Sequence, residues 1–131
     1  MARVFTPNDS RQLSLPGRRS REILAAASGA ASTLRFVEID PVGPDGPKRG
    51  PHVHDGFEEC IYVLAGEGTM EADSGTYKVR AGDTVLVPEG ERHVTHNTGA
   101  DVLTLLCFFP TGDVNAGTVE FESWDSSREA E

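Results

Sequence analysis

Apolar residues along this chain fall in short runs, often alternating with polar ones, and each run stops at a cluster of Gly, Pro, Asn, Asp or Ser. That pattern predicts strands over 32–39, 57–64, 67–72, 76–80, 84–87, 92–97 and 102–109. Turns are expected at Ala65-Gly66, Ser74-Gly75, Ala81-Gly82-Asp83, Pro88-Glu89-Gly90 and Thr98-Gly99-Ala100-Asp101. A further strand is expected over 21–27, ahead of the turn Ser28-Gly29-Ala30-Ala31, although its Ala-rich sequence also fits a helix. Asp40 to Pro51, with four Pro and three Gly, reads as a loop leading into a strand that carries His52 and His54. Many short strands with frequent turns, and no internal repeat, argue for an all-β sandwich or closed barrel.

The ends differ from this middle. Residues 1–19 are polar, broken by Pro7, Pro16 and Gly17, and read as an extended arm with a short edge strand, available to pack on a neighbouring subunit. A barrel domain is expected over 20–112 and an acidic tail over 113–131, in which Thr118 to Trp124 docks as a strand or a helical turn and the last residues are mobile. Arg18-Arg19 before the short apolar piece Ile23–Ala27 imitates an export signal, but Glu22 interrupts it and a strand is the better reading. No run is long enough to span a bilayer, so a cytoplasmic location is expected by default.

Composition narrows the partners. With 131 residues, 37% of them hydrophobic and 25% charged, the chain suits one domain with one core. The net charge of −9 argues against nucleic acid or an anionic membrane as partner. Two cysteines, Cys60 and Cys107, lie far apart in apolar runs and are expected as buried free thiols, not as a disulfide scaffold.

The chemistry concentrates between Gly46 and Asn97. His52 and His54 are two residues apart, so on a strand they share a face. The turn at Asp55-Gly56-Phe57 lets Glu59 enter the next strand facing the two imidazoles, while Glu58 points away. His93, early in a later strand, offers a fourth ligand. Imidazole and carboxylate donors together suit a divalent first-row metal.

These two stretches resemble the two motifs of the cupin superfamily. Gly46, His52, His54, Glu59 and Gly66 fill G-x5-H-x-H-x4-E-x6-G, and Gly82, Pro88, Gly90, His93 and Asn97 fill G-x5-P-x-G-x2-H-x3-N, with fifteen residues between Gly66 and Gly82. The resemblance implies a double-stranded β-helix, or jelly-roll, barrel with a metal held at one end by His52, His54, Glu59 and His93. The ion would be Fe, Mn, Ni, Cu or Zn. The resemblance further implies a small-molecule ligand and a homodimer. It makes the protein a metalloenzyme of dioxygenase, cyclase or isomerase type, with Glu59 acting both as ligand and as proton acceptor. The competing implication is a non-catalytic binding or sensor protein with a bound metal.

Strand parity sorts the remaining residues. Ile61 and Val63 are expected to line the cavity beside Glu59, with Phe57, Phe108 and Phe109 adding to it. Gly66, Gly82, Gly90 and Pro88 are read as turn residues and Asn97 as structural. His96 is expected to face away from the metal. Arg35 and Arg49 are expected to be solvated, with contact to an anionic substrate group as the alternative.

Overall fold

The computed structural model describes residues 1–129. Its strands are β1 (Arg11–Leu15), β2 (Arg18–Leu24), β3 (Thr33–Ile39), β4 (His52–His54), β5 (Glu59–Ala65), β6 (Glu67–Ala72), β7 (Gly75–Arg80), β8 (Thr84–Val87), β9 (His93–His96), β10 (Leu103–Phe109) and β11 (Thr118–Glu120), followed by one short helix, α1 (Trp124–Glu129). They form two sheets in the orders β1-β2-β3-β10-β5-β8 and β11-β4-β9-β6-β7. Every pairing is antiparallel, which gives a jelly-roll barrel.

The β-branched and aromatic content of β3, β5 and β10 explains why they form the middle of the larger sheet. Their alternate residues Val37, Ile39, Ile61, Val63, Leu103 and Leu105 point into the barrel and meet Met70 and Val79 from the smaller sheet. The motif glycines Gly66, Gly82 and Gly90 all sit at positive φ, as turn residues should. Gly90 also donates its N–H to the carbonyl of His54 at 2.8 Å, tying the turn before β9 to the histidine strand.

Two parts differ from the sequence reading. The strand expected over 21–27 begins at Arg18 and ends at Leu24, and Ala26–Ser28 is a single 3-10 turn closed by Ser28, whose Oγ bonds both N–H and C=O of Ala25. The early start was hidden because the inward residues of β2, Ser20 and Glu22, are polar. At the other end, Thr118–Glu120 pairs with the histidine strand, with Thr118 opposite His54 and Glu120 opposite His52. The expected mobility of the last residues concerns positions partly outside those described, since 130 and 131 are not among them. Among the described residues, no helix is long and apolar enough to cross a membrane.

Candidate metal centre

Three strands from both sheets converge at one end of the barrel. β4 contributes His52 and His54, β9 begins with His93 directly opposite His52, and β5 begins with Glu59 from the facing sheet. One donor atom from each of the four residues lies within 4.8 Å of the other three. His54, Glu59 and His93 are buried and His52 is half-buried.

Hydrogen bonds fix which nitrogens face inward. Thr118 donates its hydroxyl proton to the carbonyl of Val114 at 2.6 Å, so at 2.8 Å it accepts the Nδ1–H of His54. The carbonyl of Glu91, 2.9 Å from His93 Nδ1, likewise only accepts. When neutral, both imidazoles therefore turn an Nε2 lone pair toward the same oxygen, Glu59 Oε1, at 3.0 Å each. Three lone pairs aimed at one another need a cation between them, which a metal ion supplies and, without one, a proton. Two ligands about 2.1 Å from an ion and at right angles are about 3.0 Å apart, against about 3.4 Å for a tetrahedron. The two 3.0 Å spacings match that right-angle value as well as an ordinary hydrogen bond, and all four donors lie within 4.8 Å of one another. His52 adds a buried Nδ1 that has no hydrogen-bond partner. The cluster fits a divalent transition-metal site, and Thr118 and Glu91 are the outer partners that orient its histidines.

The same hydrogen bonds govern the electrostatics of the cluster. Burial, reinforced by the His93 charge, pushes His52 well below the ordinary imidazole value, so it presents a neutral ring. Burial also lowers His93, but the hydrogen bond and charge of Glu59 outweigh it and hold His93 above the ordinary value. Burial alone would raise Glu59, but the two imidazoles bonded to it more than reverse this and keep it ionised well below the carboxylate range. Phe57 stacks on His54 with ring centroids 5.2 Å apart, and Phe109 meets the same ring edge-on.

Beside the cluster lies a cavity of about 280 Å³. As expected, Ile61 lines it; Val63 points inward too but is fully buried in the core. Of the two phenylalanines in sequence, Phe109 lines the cavity and Phe108 is exposed on the opposite face, because neighbours on a strand cannot both point inward. Glu58 is exposed. His96 faces away from the cluster, 3.8 Å from Glu71. Asn97 is structural: its amide donates to the carbonyls of Ile39 and Asp101 at 2.8 and 2.7 Å and accepts from the N–H of Gly99.

The expectation of solvated arginines fails. Arg35 is 7% exposed and pairs with buried Glu22 at 3.2 Å, and Arg49 lies along the cavity with Nη2 on the carbonyl of Thr95 at 2.7 Å. Neither partner is near in sequence. Of the cysteines, Cys107 is buried against the cavity, whereas Cys60 is only half-buried, and both are free. Burial, with the Glu59 carboxylate beside it, pushes the Cys107 thiol well up, which keeps it protonated. Sequence reasoning missed Arg18, Ser20, Asn115, Thr118 and Glu120, which also line the cavity. The alternation of polar residues at 18, 20 and 22 was the available signal for the first two.

Residues 36–109, more than half of the chain, match the family model described as cupin domain. The chain belongs to the cupin domain family. Among curated cupin relatives, the oxalate-binding protein of Thermotoga maritima is 36% identical over 63 residues, covering 48% of this chain and 52% of that protein. Protein SchB of Streptomyces halstedii is 34% identical over 85 residues, covering 65% and 60%. The chain thus spans little more than half the length of these curated relatives. The cupin fold is also seen in the formate complex of oxalate decarboxylase from Lactobacillus farciminis, with a TM-score of 0.71, 21% identity and coverage of 87% of this chain and 34% of that one. Streptomyces PAC13 with uridine matches with a TM-score of 0.72 at 14% identity, over 98% and 97% of the two chains. At these identities the two structures speak for the fold alone.

Proposed function

We propose that this cupin is a metalloenzyme acting on a small organic molecule bound in the cavity beside His52, His54, Glu59 and His93, with these four residues as the ligands of one Fe, Mn, Ni, Cu or Zn ion. The observation that carries the reading is the pair of Nε2 lone pairs held 3.0 Å from one carboxylate oxygen. When bound, the ion supplies Lewis acidity, and redox chemistry if it is iron, manganese or copper. The residues of the chain supply the rest. Thr118 and the Glu91 carbonyl hold two imidazoles in their coordinating tautomer. Ile61, Leu105 and Phe109 form an apolar wall that excludes water. Glu59 meets both imidazoles through Oε1 and the Cys107 thiol beside it, and is the carboxylate that would accept a proton from the bound molecule. A dioxygenase, cyclase or isomerase reaction fits this arrangement.

A second reading, a non-catalytic binding protein with a resident metal, is favoured by the similarity to a relative named for oxalate binding. Both readings are tested by metal analysis of protein purified without chelator, followed by product analysis. About one divalent ion per chain, absent from His52→Ala and Glu59→Ala, supports the centre. Conversion of a bound compound supports the enzyme, and its recovery unchanged supports the binding protein. Failure to take up any divalent ion on reconstitution overturns both.

The protein is further proposed to act as a homodimer through the outer face of its larger sheet. Two cross-strand rows there are rich in apolar residues, Leu34-Phe108-Cys60-Leu86 and Phe36-Leu106-Tyr62-Thr84. Phe108, Tyr62 and Leu86 are among the exposed large hydrophobic residues of the molecule. A sheet that is apolar on both faces needs a cover on each, and a second copy related by a two-fold axis offers the same flat surface. Phe108→Asp is expected to convert a dimer to a monomer by solution molar mass; a wild-type monomer at micromolar concentration would overturn the assignment.

A further inference from the structure

Three buried polar atoms that border the metal cavity have no hydrogen-bond partner among the described residues: His52 Nδ1, Ser20 Oγ and Arg49 Nη1. His52 belongs to the metal cluster, but the other two do not. Buried polar groups in folded proteins are almost always satisfied by protein, water or ligand, so two orphaned donors on one cavity are open to a ligand's acceptor atoms.

The three arginines around this cavity make the case sharper. Arg18 is paired with Glu120 at 2.8 Å and Arg35 with Glu22 at 3.2 Å. Arg49 forms an ion pair with neither of these carboxylates, Glu120 acting on it through charge alone, and among the described residues its one hydrogen bond goes to the neutral carbonyl of Thr95. Burial, with the Arg18 charge next in effect, pulls Arg49 down to about 10. A half-buried cation whose nearest carboxylate is already paired with Arg18 gains from a further negative charge.

Its placement is also built in. The Arg49 stem crosses the β1–β2 turn at Gly17, where a Cβ would stand 2.1 Å from Arg49 Cδ. Gly17 sits at φ 68, in the left-handed region that favours glycine. The hairpin that carries Ser20 therefore also seats Arg49. A guanidinium N–H and a hydroxyl on the wall of one cavity offer two donors and one positive charge. That combination answers a carboxylate or enolate, whereas a neutral carbonyl leaves the charge unmatched.

We propose that Ser20 and Arg49 form an anion subsite and that the natural ligand of the cavity is a small organic anion, a carboxylate or an enolate, whose charged end sits there while the remainder reaches the metal cluster. The last clause rests on the metal-centre reading above; the subsite itself does not.

The test titrates the full chain, with and without divalent ion, with acetate, oxalate and benzoate and with the matching neutral amides, by calorimetry. At least one carboxylate is expected to bind, and its amide at least about tenfold more weakly. Arg49→Gln is expected to weaken the carboxylate about tenfold or more and Ser20→Ala about threefold, with Arg49→Lys restoring part of the loss. Gly17→Ala, which displaces the Arg49 stem, should weaken it as well. The proposal is overturned if acids and amides bind alike, if no carboxylate binds at millimolar concentration, or if the folded Ser20→Ala and Arg49→Gln variants bind like wild type. Metal content measured on the same samples keeps the two claims apart. Full metal uptake without Arg49-dependent carboxylate binding sinks the subsite alone, and Arg49-dependent binding in a protein that takes up no metal sinks the metal centre alone.

Discussion

The four clustered donors come from β4, β5 and β9, all between residues 52 and 93, whereas the cavity wall draws on β3 and β10 and, near the two ends of the chain, on β2 and β11. The middle supplies imidazoles and a carboxylate on short, rigid strands, held by ladder pairs such as His52 opposite His93. The flanks supply Arg18, Ser20, Thr118 and Glu120, on strands at or next to the sheet edges. The residues matched to the cupin family, 36–109, contain every clustered ligand and none of these four flank residues. Part of the cavity wall thus lies outside the region shared with the family, while the whole cluster lies within it.

The sharpest way to break this comparison is to remove a ligand from the middle. Glu59→Ala takes away the oxygen on which both Nε2 atoms converge and leaves three imidazoles without an anion. Metal occupancy should fall from about one ion per chain to near zero, read by elemental analysis after dialysis. Retained stoichiometric metal would show that the carboxylate is no ligand.

The next effect tests whether the flank reaches the metal at all. Thr118→Val keeps the shape of the side chain but removes the hydroxyl that accepts His54 Nδ1–H. Outer partners of this kind are worth about 10–100-fold in metal affinity. A chelator competition showing less than a twofold change would confine the metal's affinity to the middle of the chain.

How much of this was legible follows the same division. Strand parity and a short turn grouped His52, His54 and Glu59, and the resemblance to the two cupin motifs joined His93 to them, as the cluster in the structure bears out. β2 was read late because a strand that lines a polar cavity loses the apolar alternation by which strands are recognised. Arg35 and Arg49 were misread because their burial depends on Glu22 and Thr95, contacts that spacing cannot reveal. Phe108 was misread by grouping it with Phe109, although parity allows only one of them inside.

Acid should weaken the centre more gently. Protons and metal compete for His93 Nε2, and the Glu59 carboxylate holds His93 above the ordinary imidazole value, so competition begins at a higher pH than for a free histidine. His52 is held well below that value and takes no part in the decline. One displaced proton corresponds to an affinity loss of about tenfold per pH unit below the raised value. Chelator competition between pH 5 and 8 measures the slope; a flat profile would mean that His93 is not a ligand.

The smallest expected effect falls on Glu58, one residue from the ligand. Glu58 and Glu59 carry the same chemistry, and only strand parity distinguishes the exposed from the buried one. Glu59 pairs with Val87 at the first position of β5, so its side chain enters the barrel and that of Glu58 is left in solvent. Glu58→Ala should therefore leave metal occupancy within about twofold of wild type and stability within about 0.5 kcal/mol. A slip of one residue in β5 would exchange the two carboxylates and turn every side chain of that strand to the other face. Loss of metal in Glu58→Ala with retention in Glu59→Ala would reveal that slip. It would also move Ile61 out of the cavity wall and Tyr62 into it, so this control bears on the register that places the whole apolar wall beside the metal.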